Sequence, residues 1–198
     1  LGVKRLMSEA ARMPATDAMG RTIREFLKQG TAAEHDTLDA RLGSLVLADR
    51  DGYAQFLDIQ YRARRGVERW LEARALDNPP PPQSDLVARD LASLDRVVPA
   101  ETPDFVAADD GDTLGVCWVL AGSALGNRAI LARLAKAQAD VPTAFLADPR
   151  MGQYWRSMLP ALARPCDSCE HDSVLRAARA TFTHFNIVAS QCLALKAA

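Results

Sequence analysis

The chain has 198 residues, of which 48% are hydrophobic and 25% are charged, a composition typical of one globular domain. Because 24 Lys and Arg residues oppose 25 Asp and Glu residues, the net charge of −1 gives no support for binding to nucleic acid or to a membrane surface. No apolar run reaches the length of a membrane span, no secretory signal is found, and the four scattered cysteines are expected to be reduced, so we expect a cytoplasmic protein.

Helical periodicity dominates the sequence, and no convincing alternating strand pattern is found. Residues 1–20 carry little periodic signal, so we expect a loose lead-in to a helical domain over residues 21–198. Gly30 interrupts the first predicted helix, whereas Asp49 and Ser84 are predicted N-caps. The predicted helices cover residues 22–42, 50–75, 84–95, 113–138, 152–163 and 168–196. The sequence therefore predicts an all-α, single-domain bundle of about six to eight helices.

One histidine, His35, falls on the apolar stripe of the first predicted helix. Leu27, Thr31 and Leu38 recur around it at helical spacing, so we expect its imidazole to point toward the core. A buried imidazole needs a hydrogen-bond partner or a metal. Asp39, four residues further on, could orient the ring and leave the other nitrogen free for a metal. The spacing alone favours a satisfied core histidine over a metal ligand.

Two glycines, Gly122 and Gly126, lie one helical turn apart in the most apolar predicted helix. Each is expected to cost about 1 kcal/mol relative to Ala in a helix interior. They could allow two helices to pack backbone to backbone, or they could let a planar ligand lie against bare backbone. The spacing alone slightly favours helix packing.

Together, these two segments resemble the heme oxygenase family. Residues 27–38 match the family's L-x-x-x-T-x-x-x-H-x-x-L segment, and residues 122–126 match the G-S-x-L-G of the distal helix in its bacterial, phytochrome-associated branch. Residues 154–158 and 180–186 are similar to later helices of the family, and the resemblance spans residues 22–195. It implies a heme-oxygenase-like helical bundle.

The resemblance also implies an activity, namely cleavage of heme to biliverdin with release of CO and Fe²⁺. Heme would be both cofactor and substrate, and O₂ and electrons from a donor such as a ferredoxin or a reductase would be required. The branch implies supply of the bilin to a phytochrome, although iron acquisition is equally compatible.

Individual residues receive roles from this resemblance. His35 would be the axial ligand of heme iron, with Asp39 as its hydrogen-bond acceptor where the family usually has Glu. Thr31, in the same motif, would belong to the heme-binding set. Gly122 and Gly126 would let the distal helix press its backbone onto the opposite heme face.

Three further residues would hold the edges of the heme. Lys28 and Arg156 match basic positions of the family that bind heme propionates. Phe182 would wall the pocket, although an aromatic residue at this spacing is more often part of an ordinary core.

The chain departs from the family at the distal helix. Ser123 stands where many members have an acidic residue that anchors water, and Ala121 replaces a Glu that is usual in this branch. Asn127 replaces a second consecutive glycine, and its amide could bond distal water or bound O₂, or could block the pocket. These departures place turnover in question more than heme binding.

Other features support weaker hypotheses. Cys166, Cys169 and His171 lack a second ligand pair for a zinc site, so we interpret this segment as the N-terminal cap of the last helix. We interpret His184 as core or pocket edge. A non-catalytic heme- or bilin-binding relative, acting as sensor or carrier, is the main alternative, and a thiaminase-like enzyme sharing the bundle is another. One basic face could dock an acidic electron donor, and it is formed by Arg62, Arg64, Arg65 and Arg69.

Overall fold

A computed structural model describes residues 21–107, 113–166 and 168–197, apart from the side chains of residues 168–170 and 196–197. The predicted lead-in over residues 1–20 lies outside these ranges. The described residues form α-helices and no strand, which confirms the predicted all-α class. The helices are α1 (Ile23–Gly30), α2 (Ala32–Gly43), α3 (Arg50–Glu72), α4 (Ser84–Ser93), α5 (Thr113–Lys136), α6 (Pro149–Leu162) and α7 (Ser168–Ala197).

The first predicted helix is bent at Thr31, which separates α1 from α2. Backbone hydrogen bonds continue through the bend, but Thr31 has a ψ of 7° and its hydroxyl donates to the Leu27 carbonyl at 2.8 Å. A threonine hydroxyl that bonds back to the preceding turn in this way commonly bends a helix. The predicted interruption is therefore correct, but it lies at Thr31 rather than at Gly30.

Local side-chain capping explains where α1, α3 and α6 begin. Asp49 caps α3 as predicted, accepting hydrogen bonds from Asp51 and Gly52 at 3.1 Å. The prediction for Ser84 is wrong, because this residue is the first residue of α4 and bonds to the buried carboxylate of Glu68 on α3. A distant side chain supplies this cap, so the local sequence could not show it.

Helix α7 is the centre of the bundle. It packs against α1, α2, α3 and α5, while α6 covers the other side of α5 and α4 lies on α3. The backbones of α5 and α7 approach closely at Gly115, where an added Cβ would overlap the carbonyl oxygen of Val174. Only glycine allows this approach, which fixes the two helices relative to each other.

Helix α5 corrects one expectation about membranes. By length and composition alone, its 24 residues could cross a membrane. In the fold it is packed between α6 and α7 and contributes Val116, Leu120 and Ala121 to the main core. Because 44% of its most apolar window is buried, this packing accounts for part of its apolar character.

Candidate functional site

His35 lies on the surface of α2 and not in the core, so the expectation of burial is wrong. Its side chain is 54% exposed, and α2 has no buried residue, because α2 packs mainly against one helix, α7. Nδ1 lies 3.4 Å from Oδ2 of Asp39, as the spacing predicted. Nε2 makes no hydrogen bond to the described part of the chain. A half-exposed imidazole oriented through one nitrogen is suited to ligate a metal through the other.

Phe182 connects His35 to the helix that carries the two glycines. Its ring meets the His35 ring edge to face, with centroids 5.7 Å apart, and meets the indole of Trp118 on α5 in the same manner at 6.3 Å. Phe182 is 6% exposed, so this position is fixed by the core. His35 and Phe182 therefore lie together, as predicted. They lie on the side of the bundle that faces Trp118, one helical turn before Gly122 on α5.

The two glycines do not serve helix packing. A Cβ added to Gly126 would meet no described atom within 4 Å, and a Cβ added to Gly122 would meet only Cζ3 of Trp155 at 3.8 Å. Leu125, on the same face, is 51% exposed. The helix-packing interpretation is therefore wrong for this pair, and the open face formed by Gly122, Leu125 and Gly126 can accept a flat group against bare backbone.

Trp118 and Ser123 lie on either side of the two glycines, and each is associated with a buried donor. At 100° per residue, Trp118 lies about 40° to one side of Gly122 and Ser123 about 60° to the other side of Gly126. Nε1 of Trp118 is buried without a hydrogen-bond partner among the described residues, and so is Nη1 of Arg64, whose Nη2 donates to Ser123 Oγ. Unsatisfied buried donors are costly and rare.

The other polar residues predicted on α5 do not face the open side. The Ser123 hydroxyl donates to the Leu120 carbonyl at 2.6 Å and accepts from Arg64 at 2.8 Å. Asn127 is 7% exposed and lies on the core side of the helix, while Gly126 is exposed. Asn127 therefore does not obstruct the glycine face in this structure, and the alternative in which it blocks the pocket is not supported.

Three exposed cations lie on α1 and α6, and one of them is linked to the glycine face. Lys28 and Arg156 are both exposed, on α1 and α6. Arg24, which the sequence analysis missed, stacks over the Trp155 ring with its Cζ 5.6 Å from the ring centroid. Trp155 in turn touches the Gly122 position, so α1 and α6 meet the glycine face at this point. The sequence carried one signal for Arg24: it lies four residues before Lys28, which puts both cations on the same side of α1.

Two other predicted contributors have purely structural positions. Thr31 is 1% exposed and its hydroxyl is committed to Leu27, so it does not face the site. His184 is buried as expected, and its Nε2 lies 3.2 Å from the Ala63 carbonyl oxygen. Burial lowers the pKa of His184, which keeps the ring neutral at pH 7.

The basic face on α3 is largely neutralised. Arg62 pairs with Asp58, Arg65 with Glu72 and Arg69 with Asp104, at 2.8–3.1 Å. Arg64 is not on the surface at all, being 1% exposed. These pairs remove most of the basis for docking an acidic electron donor on this face.

The N-terminal cap predicted for the last helix, from Asp167 onward, depends on side chains that lie outside the described residues.

Comparison with known proteins adds information on the fold. No family model and no curated protein matches the chain. Among solved structures, it is similar to the crystal structure of the NO- and CO-bound heme oxygenase from Neisseria meningitidis, with 21% identity, a TM-score of 0.69, and coverage of 87% of this chain and 92% of that one. The chain has the heme oxygenase fold. At this identity the likeness concerns architecture, and the roles of individual residues stay predictions.

The open glycine face leads to a stability prediction. Replacing Gly126 by Ala should raise the free energy of unfolding by up to about 1 kcal/mol, because alanine favours the helix and its methyl group meets open space. In urea unfolding, Gly115→Ala is the matched comparison, and it should lower the same quantity by about 1–3 kcal/mol through the clash with Val174. A destabilised Gly126→Ala protein would contradict the assignment of an open face.

Proposed function

We propose that the protein is a heme oxygenase, which binds heme and cleaves it to biliverdin with release of CO and Fe²⁺. One observation carries the proposal. An oriented histidine with a free Nε2 contacts Phe182, Phe182 contacts Trp118, and Trp118 lies one helical turn before Gly122 on a helix whose two glycines leave one face open. The fold of the bundle supports the proposal independently of these residues.

The residues present fit a heme. His35 supplies the nitrogen ligand, and the 3.4 Å contact with Asp39 favours the tautomer in which Nε2 is free for iron. The bare backbone at Gly122 and Gly126 offers a flat surface for the opposite side of the macrocycle. Arg24, Lys28 and Arg156 are exposed cations, and we assign the binding of the propionates to them.

When bound, heme supplies an iron that activates O₂ and a macrocycle that is itself the substrate, so two kinds of external input, O₂ and electrons, are required. The chain contributes orientation and a hydrogen-bonding environment. Phe182 and Trp118 exclude water from one edge of the glycine face by their partial or full burial. The Ser123 hydroxyl donates its proton to the Leu120 carbonyl and accepts a hydrogen bond from Arg64. It therefore has no free proton to donate to a ligand on the glycine face.

The assignment to the phytochrome-associated branch rests on residues 122–126. This motif supports biliverdin as a chromophore precursor, with a phytochrome as the recipient and a ferredoxin or a reductase as electron donor. Release of iron from heme supports iron acquisition equally well.

A non-catalytic heme- or bilin-binding protein is the second candidate. It is favoured by the positions of Ser123 and Asn127, since neither side chain offers a free proton donor to the glycine face. Such a protein would bind heme through the same residues without opening the ring.

Hemin binding and turnover test the proposed function. Purified protein mixed with hemin should give a histidine-ligated Soret spectrum, and reductant with O₂ should replace it by a bilin spectrum. His35→Ala should lose the ligated spectrum, whereas His184→Gln should keep it, because the Gln amide can still bond to the Ala63 carbonyl. A stable Soret band without bilin would establish the binding protein instead, and a His35→Ala protein with an unchanged spectrum would exclude His35 as the ligand.

The glycine face leads to a separate prediction for affinity. Gly126→Ala should weaken hemin binding by about tenfold or more, because its methyl group would stand between backbone and macrocycle. The measurement is a Soret titration of the variant beside Gly43→Ala, whose added methyl group also meets open space but lies at the end of α2. Equal affinities of the two variants would show that the macrocycle does not lie against Gly126.

A further inference from the structure

Arg64 is the largest of the side chains that the core buries almost completely, at 1% exposed. Its Nε donates to Gln60 on the same helix at 3.1 Å, and its Nη2 donates to Ser123 on α5 at 2.8 Å. Its Nη1 is buried with no hydrogen-bond partner in the described part of the chain. The guanidinium lies over the Phe145 ring, with its Cζ 4.8 Å from the ring centroid.

The charge of this side chain is not neutralised by a direct ion pair. No carboxylate of the described residues lies within ion-pair distance of it, although Glu68, one turn further along α3, lies close enough to raise its pKa. The Glu68 carboxylate is itself bonded to Ser84 and to the backbone of Gln83. Burial lowers the pKa of Arg64 to about 10, so the guanidinium stays protonated at pH 7.

A purely structural role accounts poorly for this arrangement. Burying a charge without a paired carboxylate costs stability, and an apolar side chain of similar size would often pack at lower cost. A structural arginine would also be expected to use all of its donors, whereas Nη1 stays free. The position of the charge explains its presence better, because Ser123 directly follows Gly122 in the chain and flanks the glycine face.

We propose that Arg64 is a positioning residue that places a fixed positive charge, through Ser123, at the edge of the glycine face. This inference rests on the proposed heme site. The charge would favour anionic over neutral ligands on the iron side opposite His35, since a buried charge is only weakly screened. It would supply, from α3, an electrostatic influence that the uncharged residues Ser123 and Asn127 on α5 do not supply.

The test compares an anionic with a neutral ligand in protein that has first been shown to bind hemin. Azide binding to the ferric complex and CO binding to the reduced complex are titrated in wild type, Arg64→Gln and Arg64→Lys. Glutamine and lysine can both bond to Ser123, and only lysine keeps the charge. Arg65→Met is the control, because it removes one positive charge from the same helix at the exposed ion pair with Glu72.

We expect Arg64→Gln to weaken azide binding by about tenfold, with CO binding unchanged within about twofold, as a Coulomb effect over a short distance requires. Arg64→Lys should retain most of the azide affinity, and Arg65→Met should retain all of it. Equal azide affinity in wild type and Arg64→Gln would overturn the inference, and so would equal losses for azide and CO, which indicate a structural role.

Ser123→Ala keeps the test decisive if the Arg64 variants do not fold. Removing the hydroxyl leaves the Arg64 charge but no longer holds Nη2 beside the glycine face. Azide binding should therefore weaken while CO binding stays the same, and no change in azide binding would overturn the inference. A wild-type protein that fails to bind hemin overturns the proposed function and this inference together. If the protein binds hemin but azide affinity is the same in wild type and in the Arg64 and Ser123 variants, only the inference is overturned.

Discussion

The close approach of α5 and α7 at Gly115 determines the geometry of the candidate site. The backbone of α7 at Val174 and Ala178 lies where a side chain at position 115 would be. Phe182 follows Ala178 by one helical turn, and Trp118 follows Gly115 by nearly one turn, so the helix contact brings these two rings together. Because Phe182 also meets the His35 ring, the same contact sets the position of α2 relative to the glycine face.

The two glycines of the glycine face are not the residues that would give the most stable helix. Gly122 and Gly126 weaken α5 as a helix, yet no described atom lies near the Cβ position of Gly126, and only the edge of the Trp155 ring lies near that of Gly122. Trp118, at one edge of this face, and Arg64, which is bonded to Ser123 at the other edge, each bury one donor that has no acceptor among the described residues. Local costs of this kind collect at functional sites, where a ligand compensates them. Their coincidence on one face of one helix supports a ligand-binding site there more strongly than any one of them would.

Sequence reasoning succeeded where the determinants are local. The periodicity of α3 and α5, the Asp49 cap and the spacing of His35 and Asp39 all concern residues within one or two helical turns, and the structure has them as predicted. It failed where the answer depends on distant residues. A helical stripe predicts which residues share a face, but it cannot tell which other helix covers that face.

His35 and Arg64 are two examples: one was expected to be buried and is exposed, and the other was expected on the surface and is buried. His35 was expected in the core, but α2 has few neighbours and leaves the ring half exposed. Arg64 was assigned to a solvated basic face, but α5 and the Phe145 segment enclose it. The cap of α4 by Glu68 and the open side of Gly126 are likewise tertiary facts. Resemblance to a family suggested the candidate site residues as a group, while their individual environments came from the fold.

A crystal structure of the protein with hemin would test the central claim most directly. The account predicts that Nε2 of His35 ligates the iron and that the backbone of Gly122 and Gly126 lies against the opposite face of the macrocycle. Iron held by His184 or His171, or a macrocycle bound away from the glycine face, would contradict it.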